Sequence, residues 1–156
     1  MSPRSFSAFG WAPIFVFLIL ISGCGKKKKE EAPKPEVQVP AVSTAVKDIS
    51  TPEEFTKLLE SGQKVIAKFY ATWCPPCRRM APIFDAAAEK YAGKAHFVSL
   101  DIDNVKLRDE VDKYTQGSVP TFAFINECAE TVDIHPGGYD EKEFDSVVEK
   151  FVAKKC

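Results

Sequence analysis

The sequence predicts an α/β domain in which a mixed central sheet has helices on both faces and an antiparallel hairpin near its C-terminal end. Strand-like and helix-like segments alternate from residue 51 onward, a pattern typical of parallel strands joined by helices. Two strand-like segments then follow each other across a short turn, which predicts an antiparallel pair. The 156 residues leave room for one such core with appendages and not for two.

The individual elements follow from local signals. Residues 51–54, Thr-Pro-Glu-Glu, form a capping box with proline at the first helical position, and Gly62 ends this first helix. Pro82 is expected to kink the second helix. The other elements are predicted from apolar spacing, in the order strand, helix, strand, helix, strand, strand, helix, at 64–70, 75–91, 95–100, 105–114, 121–126, 130–134 and 140–153. The predicted order is therefore αβαβαββα.

The N-terminal segment, residues 1–23, is predicted to be a signal peptide. Residues 11–21 are apolar without interruption, a run shorter than the roughly 20 residues that a spanning helix needs. Arg4 precedes this run and the small residues Ser22 and Gly23 follow it, which is the layout of a secretory signal. The alternative, a buried core helix, is disfavoured by the prolines in this region.

The end of this segment, Ile21-Ser22-Gly23-Cys24, resembles the lipobox of bacterial lipoproteins. The resemblance implies that Cys24 becomes the first residue of the mature protein and carries a lipid. The alternative is a soluble secreted protein with a spare thiol near its start. We expect the protein to be attached to a membrane through this lipid anchor, on the extracytoplasmic side of a bacterial cell envelope.

Residues 24–46 are predicted to be an extended tether. Lys26 to Lys29 are four consecutive cations, and acidic residues and spaced prolines follow them. Such a segment cannot bury a core and stays extended. The lysines either contact anionic lipid headgroups or are simply solvated. The folded domain is predicted to cover residues 47–156.

The charge balance excludes a nucleic-acid-binding protein. The chain has 21 Lys and Arg against 22 Asp and Glu, a formal net charge of -1. From residue 37 onward, 15 basic residues against 19 acidic residues leave a net charge of -4. A domain without a basic patch lacks the electrostatic footprint for binding polyanions, so no nucleic-acid partner is expected.

The chemistry is predicted to lie at Cys74 and Cys77, a C-x-x-C pair placed where a strand ends and a helix begins. The helix N-terminus stabilises a thiolate through its free amides and its dipole, which makes the first thiol a nucleophile near neutral pH. Cys74 is therefore expected to be the exposed attacking thiol and Cys77 the shielded resolving thiol. Because the electrons reside on the cysteines, no cofactor and no metal are expected.

Two other interpretations of this pair are a structural disulfide and half of a zinc site. A zinc site needs further ligands, but Cys128 and Cys156 lack C-x-x-C spacing, and His96 and His135 stand alone in the sequence. A structural disulfide does not require a tryptophan next to it, such as Trp73, or a proline at a nearby groove, such as Pro120. Both alternatives are therefore disfavoured.

Three features around the pair are typical of the thioredoxin family. Trp73 directly precedes the first cysteine, Pro82 follows the second by five residues, and Ser118-Val119-Pro120-Thr121 lies downstream. Over about residues 47–156 the chain therefore resembles that family. The resemblance implies a thioredoxin fold and the activity of a thiol–disulfide oxidoreductase.

The resemblance also implies a substrate groove. Pro120 would be a cis-proline that lies against the active-site disulfide and leaves the preceding backbone free to pair with an extended substrate. Gly137 matches a family glycine at the same groove, where a side chain would obstruct a bound peptide. The residues that the resemblance assigns to the groove are Trp73, Pro75, Pro76, Val119, Pro120 and Gly137.

Two positions depart from the family pattern. Lys68 stands where a buried aspartate is common, and Ser99 replaces the lysine that accompanies it. Lys68 is a candidate proton relay as a neutral amine, a candidate cation that favours thiolates, or a solvent-facing residue with no role. Pro75-Pro76 replaces the usual Gly-Pro and removes an amide donor near Cys74, which favours the disulfide and hence a reductant.

The two remaining cysteines lie late in the chain. Cys128 falls in the turn between the last two strands, and Cys156 follows the last helix. In the implied fold this helix returns alongside the hairpin, so we expect a structural disulfide between the two residues. Such a bond would be consistent with an oxidising compartment.

The sequence thus predicts an extracytoplasmic protein-disulfide reductase of the thioredoxin type. We expect a monomer that acts on protein thiols and disulfides and exchanges electrons with a membrane donor or acceptor. A cationic Lys68 would favour the opposite direction, so a disulfide-forming oxidant or isomerase is one alternative. The other is a non-catalytic binding or chaperone module, which the intact cysteine pair disfavours.

Overall fold

A computed structural model describes residues 45–156. The predicted signal peptide, the lipidation of Cys24 and the tether up to residue 44 lie outside the described residues. The helices and strands, in chain order, are β1 (Val46–Ile49), α1 (Pro52–Leu59), β2 (Val65–Tyr70), α2 (Pro75–Lys90), β3 (His96–Asp101), a short 3-10 helix (Val105–Leu107), α3 (Arg108–Thr115), β4 (Thr121–Ile125), β5 (Thr131–Pro136) and α4 (Glu141–Ala153).

The five strands form one mixed sheet in the order β1-β3-β2-β4-β5. Strand β3 pairs in parallel with both β1 and β2, whereas β4 runs antiparallel to β2 and β5 antiparallel to β4. The central strand β2 is almost continuously buried, as expected for a strand with helices on both faces. The predicted α/β class, its mixed sheet and its C-terminal hairpin are confirmed.

Two apolar cores lie on the two faces of the sheet. Helices α2 and α4 cover one face, where Phe84 packs against Phe97 and Phe144. Helices α1 and α3 cover the other face through Phe55 and Tyr114, whose rings meet edge to face. Each fully buried aromatic side chain contributes about 1.5–3 kcal/mol, so these two layers hold the sheet rigid beneath the functional site.

The predicted element order is wrong at one point, because it omits β1. This strand begins at Val46, inside the segment predicted to be tether, and it has only four residues. So short an edge strand has no clear alternation of its own and is stabilised by its pairing with β3. A smaller difference is that the helix predicted over 105–114 divides into the 3-10 helix and α3.

Helix α2 is continuous although it contains an internal proline. Pro82 lies inside the helix, which runs from Pro75 to Lys90.

Within residues 45–156, none of the helices combines the length and apolar character that crossing a membrane would require.

Candidate active site

The cysteine pair lies where the central strand passes into its helix. Strand β2 ends at Tyr70, and Cys74 is the N-cap residue of α2. The Sγ atom of Cys74 accepts a hydrogen bond from the Cys77 amide at 3.2 Å and is joined to Cys77 in a disulfide. A sulfur thus occupies the place where a helix usually has a serine or aspartate oxygen, at the positive end of the helix dipole.

The two prolines between the cysteines leave few amides at this helix end. Pro75 and Pro76 occupy the first positions of α2, and neither has an N–H. The Cys77 amide is therefore the first donor of the helix, and it points at Cys74 Sγ. Proline is well suited to these positions because its φ angle is already helical and no hydrogen bond is lost.

The expected contrast in exposure between the two cysteines is not present in the disulfide. Cys74 is 3% exposed and Cys77 is 4% exposed. The reason is tertiary, because the loop before β4 covers the pair and brings the Val119 carbonyl oxygen to 3.7 Å from Cys74 Sγ. Both cysteines pack with Ala71 in a small apolar cluster.

The groove beside the disulfide is built from two loops. The Val119–Pro120 peptide bond is cis. The Pro120 carbonyl accepts a hydrogen bond of 2.7 Å from the Gly137 amide, which ties this loop to the end of β5. A Cβ atom added at Gly137 would meet nothing within 4 Å, so the space there is open, and it is the φ angle of +102° that favours glycine. The backbone conformation therefore favours glycine at position 137, in addition to the open groove that the sequence predicted.

Trp73 forms the most exposed aromatic surface of the site. Its side chain is 61% exposed, and its Nε1 atom donates a hydrogen bond of 2.8 Å to Asp103 Oδ2. Asp103 follows β3, whose end lies beside the end of β2 in the parallel pair. The sequence reasoning missed Asp103, although an acidic residue just after the neighbouring parallel strand was the available signal. A second contact that it missed runs from Arg78 Nη1 to the Thr72 carbonyl at 3.2 Å and braces the same loop.

Lys68 lies on the central strand β2, and it is buried, with only 6% of its surface exposed. It lies opposite Ser99 in the register of β2 and β3. Its Nζ atom lies 4.5 Å from the centroid of the Phe84 ring and 5.7 Å from that of Tyr70, within the range of cation–π attraction. The burial disagrees with the alternative of a solvent-facing lysine.

The electrostatic surroundings of Lys68 are mixed. Burial lowers the pKa of Lys68, and the carboxylates of Asp85 and Asp48 act in the opposite direction. In turn, burial raises the pKa of Asp85, and the Lys68 charge opposes that shift. The sequence reasoning did not find Asp85 or Asp48 as neighbours of Lys68, because one lies on α2 and the other on β1.

A second disulfide lies at the opposite end of the sheet and joins Cys128 to Cys156. Glu127 Oε1 accepts a hydrogen bond of 3.3 Å from the Cys156 amide, and Glu127 Oε2 lies 3.4 Å from Lys64 Nζ. Lys64 Nζ also donates to the Val152 carbonyl at 3.1 Å. The C-terminal end of α4 is thus fastened to the β4–β5 turn by a covalent bond and by charged contacts.

The histidines and acidic residues do not form a metal site in the described part of the chain. Across residues 45–156, no three His, Cys, Asp or Glu side chains come together in a group able to hold an ion. His135 stacks on Tyr139 with ring centroids 4.0 Å apart, and His96 begins strand β3.

Comparison with known proteins assigns this site to a family. The thioredoxin family profile matches residues 46–152, which is more than half of the chain. The chain belongs to the thioredoxin family. The match covers both cysteines of the pair, the cis-proline loop and Gly137. The Cys74–Cys77 disulfide therefore lies within the part of the chain that belongs to this family.

Individual relatives agree with this assignment. The chain is 35% identical to a thioredoxin of Coprinus comatus over 109 residues, which are 69% of this chain and 99% of that protein. It is 43% identical over 77 residues to an H-type thioredoxin of Oryza sativa subsp. indica, covering 49% of this chain. The solution structure of oxidised thioredoxin from Plasmodium falciparum superposes with a TM-score of 0.59 at 30% identity, covering 69% of this chain and 98% of that one.

Several curated relatives extend well beyond the matched segment. The chain spans 61% of the rice H-type thioredoxin. It spans 28% and 32% of the chloroplastic thioredoxin-like proteins HCF164 of Arabidopsis thaliana and Oryza sativa subsp. japonica. The family assignment therefore applies to the folded domain.

Proposed function

We propose that this protein is a thiol–disulfide oxidoreductase that reduces protein disulfides outside the cytoplasm while attached to a membrane by a lipid. The observation that carries the catalytic part is the Cys74 sulfur, which caps α2 and accepts the Cys77 amide at 3.2 Å beside the Val119 carbonyl. A thiolate at this position gains from the helix dipole and from a direct hydrogen bond. An exposed Trp73 and the open space at Gly137 offer a surface for an extended substrate.

The reaction proceeds by two exchanges of sulfur. The Cys74 thiolate attacks one sulfur of the substrate disulfide, forms a mixed disulfide and releases the other substrate sulfur as a thiolate, which takes a proton from solvent. The Cys77 thiol then gives up its proton, attacks Cys74 Sγ as a thiolate and releases the second substrate sulfur as a thiolate, which takes up a proton. Two electrons have passed to the substrate, and the pair ends as the Cys74–Cys77 disulfide. Turnover needs a dithiol that reduces the pair again, and we propose a membrane protein as this electron donor.

The direction of electron flow depends on two opposing features. Pro75 and Pro76 contribute no amide to Cys74, which weakens thiolate stabilisation and favours a reductant. A protonated Lys68 within the sheet would stabilise thiolates and favour an oxidant. We propose the reducing direction, with Lys68 as a proton relay, because burial lowers the pKa of its amine.

The redox potential of the Cys74–Cys77 pair, titrated in the full chain against glutathione, tests this direction. A value near about -270 mV or below is expected for a reductant. A value near about -120 mV would contradict the reducing direction and indicate a protein that forms disulfides. If a Cys74→Ala variant kept full biological activity, the protein would instead be a non-catalytic binding or chaperone module.

The proposed anchor depends on the lipobox-like segment that ends at Cys24. Expression of the full chain in bacteria with a radiolabelled fatty acid should give a labelled, membrane-associated protein. A Cys24→Ser variant should lose the label and be released from the membrane fraction. A wild-type protein that carries no label would contradict the anchor and leave the proposed redox chemistry untouched.

A further inference from the structure

The first turn of α2 differs in charge from those of the other α-helices in the described part of the chain. The first turns of α1, α3 and α4 each contain two acidic residues, whereas that of α2 contains none. Instead, Arg78 and Arg79 directly follow Cys77. Cations near a helix N-terminus are unfavourable because they face the positive end of the helix dipole. Helix stability therefore does not account for these two residues.

The two arginines have different surroundings. Arg78 donates to the Thr72 carbonyl and so braces the loop before the cysteines. Arg79 is exposed, and within the described range 45–156 no hydrogen bond or ion pair connects its side chain to another residue. Its guanidinium is therefore available to a partner. The net charge of the domain is -4, so this free cation beside the redox pair stands out against an acidic background.

Arg79 borders a cleft of about 300 Å³ that begins at the loop between the cysteines. The other residues that line this cleft are Pro76, Met80, Ile83, Gly138 and Tyr139. Its surface is about as polar as it is apolar: the side chains of Pro76, Met80 and Ile83 supply apolar area, and the guanidinium of Arg79 supplies a full positive charge at the edge. Pro76 belongs both to this cleft and to the C-x-x-C loop, so a substrate chain bound across the disulfide passes directly beside it.

Helix α2 and the segment after β5 form the two sides of the cleft and are in direct contact. The Sδ atom of Met80 accepts a hydrogen bond of 3.4 Å from the Tyr139 amide. A Cβ atom at Gly138 would come within 3.4 Å of Met80 Cγ, so the glycine leaves the cleft wider than an alanine would. Gly137, the preceding residue, is bonded to Pro120, which connects the cleft to the groove at the disulfide.

We propose that Arg79 and this cleft select disulfide substrates in which an apolar residue and an acidic residue lie close to the reactive cysteine. The inference rests on the proposed function and names the substrate class of the same site. The apolar residue enters between Pro76, Met80 and Tyr139, and the carboxylate pairs with the Arg79 guanidinium. A pairing of this kind recognises a carboxylate in a defined geometry, and it also attracts the substrate to the site before contact.

The test compares three disulfide-linked peptides that have the same apolar residue beside the cysteine and differ only in the next residue, which is Glu, Gln or Lys. For the full chain, kcat/KM should be about threefold higher with the Glu peptide than with the Gln peptide. The value for the Lys peptide should be lower than that for the Gln peptide. Arg79→Gln should abolish this order, and Arg79→Glu should invert it. Raising the salt concentration to about 1 M should also reduce the preference, because the pair is exposed.

Arg108→Gln is the matched control, since Arg108 is another exposed arginine close to a helix start but lies on α3. It should keep the wild-type order of the three peptides. The circular dichroism spectra should be the same for all variants, and no variant should have a thermal midpoint below that of the wild type, which excludes a folding defect. Equal rates on the three peptides with the wild type, or an unchanged preference in Arg79→Gln, would overturn the inference.

The same experiment separates failure of this inference from failure of the proposed function. A small uncharged disulfide serves as a reference substrate for every variant. If the wild type cannot reduce even this compound, then the proposed reductase activity is wrong. If the reference is reduced and the peptides show no charge preference, only the role of Arg79 is wrong.

Discussion

The two disulfides of this domain differ in a way that runs against simple expectation. Cys74 and Cys77 are 3% and 4% exposed, whereas Cys128 and Cys156 both lie on the exposed surface. The redox pair is thus the covered one, and the bond at the far end of the sheet is the open one. The comparison teaches that exposure does not distinguish a redox pair from a structural bond in this domain. The backbone surroundings do so, because only Cys74 receives an amide hydrogen bond at a helix N-terminus.

The two bonds also differ in what they close. The Cys74–Cys77 bond joins residues three apart, and the Cys128–Cys156 bond joins residues 28 apart. A cross-link that closes a longer loop removes more conformational freedom from the unfolded chain and so stabilises the fold more. We therefore expect the short bond to serve chemistry and the long bond to serve stability.

The largest expected effect is on activity. Cys74→Ser should abolish disulfide reduction, because a serine hydroxyl is not ionised near neutral pH and cannot form the mixed disulfide. Its thermal midpoint should stay close to that of the wild type under the same conditions. The control is Cys128→Ser combined with Cys156→Ser, which should retain activity at a temperature where it is folded. Loss of reductase activity in this control while it is folded would break the division of roles.

The second effect is on stability. The double variant Cys128→Ser/Cys156→Ser should lose about 3.5 kcal/mol in the free energy of unfolding, as the chain-entropy argument gives for a loop of about this length. The measurement is urea denaturation without reductant, so that the Cys74–Cys77 bond stays intact. An unchanged midpoint and slope would show that the charged contacts around Glu127 hold the C-terminal end without the bond.

The third effect is a shift in redox potential. Lys68→Met removes the buried amine, whose protonated form stabilises thiolates, and keeps a similar side-chain volume. Thiolates at the pair therefore become less stable, and the pair becomes a stronger reductant. We expect a potential about 30 mV more negative, which corresponds to about one pKa unit on one thiol. The pH profile of the reduction rate should move to higher pH. An unchanged potential and pH profile would leave Lys68 without a redox role.

The same substitution should affect stability in a pH-dependent way. Burial places the pKa of Lys68 below its usual value in the folded protein, so the unfolded chain binds a proton more readily. The charged lysine therefore lowers stability at neutral pH, and this cost disappears as the pH rises through the folded pKa toward 10.5. Lys68→Met should exceed the wild type in stability at pH 7 by a margin that shrinks as the pH rises toward 10.5, as measured by denaturation at several pH values.

The smallest effect concerns the support of the structural bond. Lys64→Met removes the hydrogen bond to the Val152 carbonyl and the ion pair with Glu127. The expected loss is about 1 kcal/mol in the free energy of unfolding, with the redox potential unchanged because the site lies at the other end of β2. Lys57→Met, on the exposed side of α1, is a control for the loss of a lysine charge. A shifted potential in Lys64→Met would show that the two ends are coupled.

Much of the fold was predictable because its signals are local. The capping box at 51–54 predicted the start of α1, and the structure places the Thr51 hydroxyl oxygen 3.3 Å from the Glu54 amide. The two adjacent strand-like segments predicted the β4–β5 hairpin. Strand β1 escaped prediction because its four residues depend on pairing with β3, which lies about fifty residues away in the chain.

Within the candidate site, the same division holds. Trp73, Cys74 and Cys77 lie within five consecutive positions, and they were identified from the sequence. Their distant neighbours were not. Asp103 reaches Trp73 from the end of another strand, and Asp85 approaches Lys68 from the helix above the sheet. No local pattern records such contacts, since they depend on the register of β2 with β3 and on the packing of α2.

By itself, the sequence determined the α/β order, the place of the redox pair at a strand–helix junction, and the two cysteines left for a second bond. Those features depend on backbone hydrogen bonding and on the periodic burial of apolar side chains, which neighbouring residues encode. Only the tertiary structure decided that Cys74 is covered by the loop at Val119 and that Arg79 stands unpaired at the edge of a cleft. Burial and free charge are properties of how separate elements meet, and that meeting is set by the packing of the whole domain.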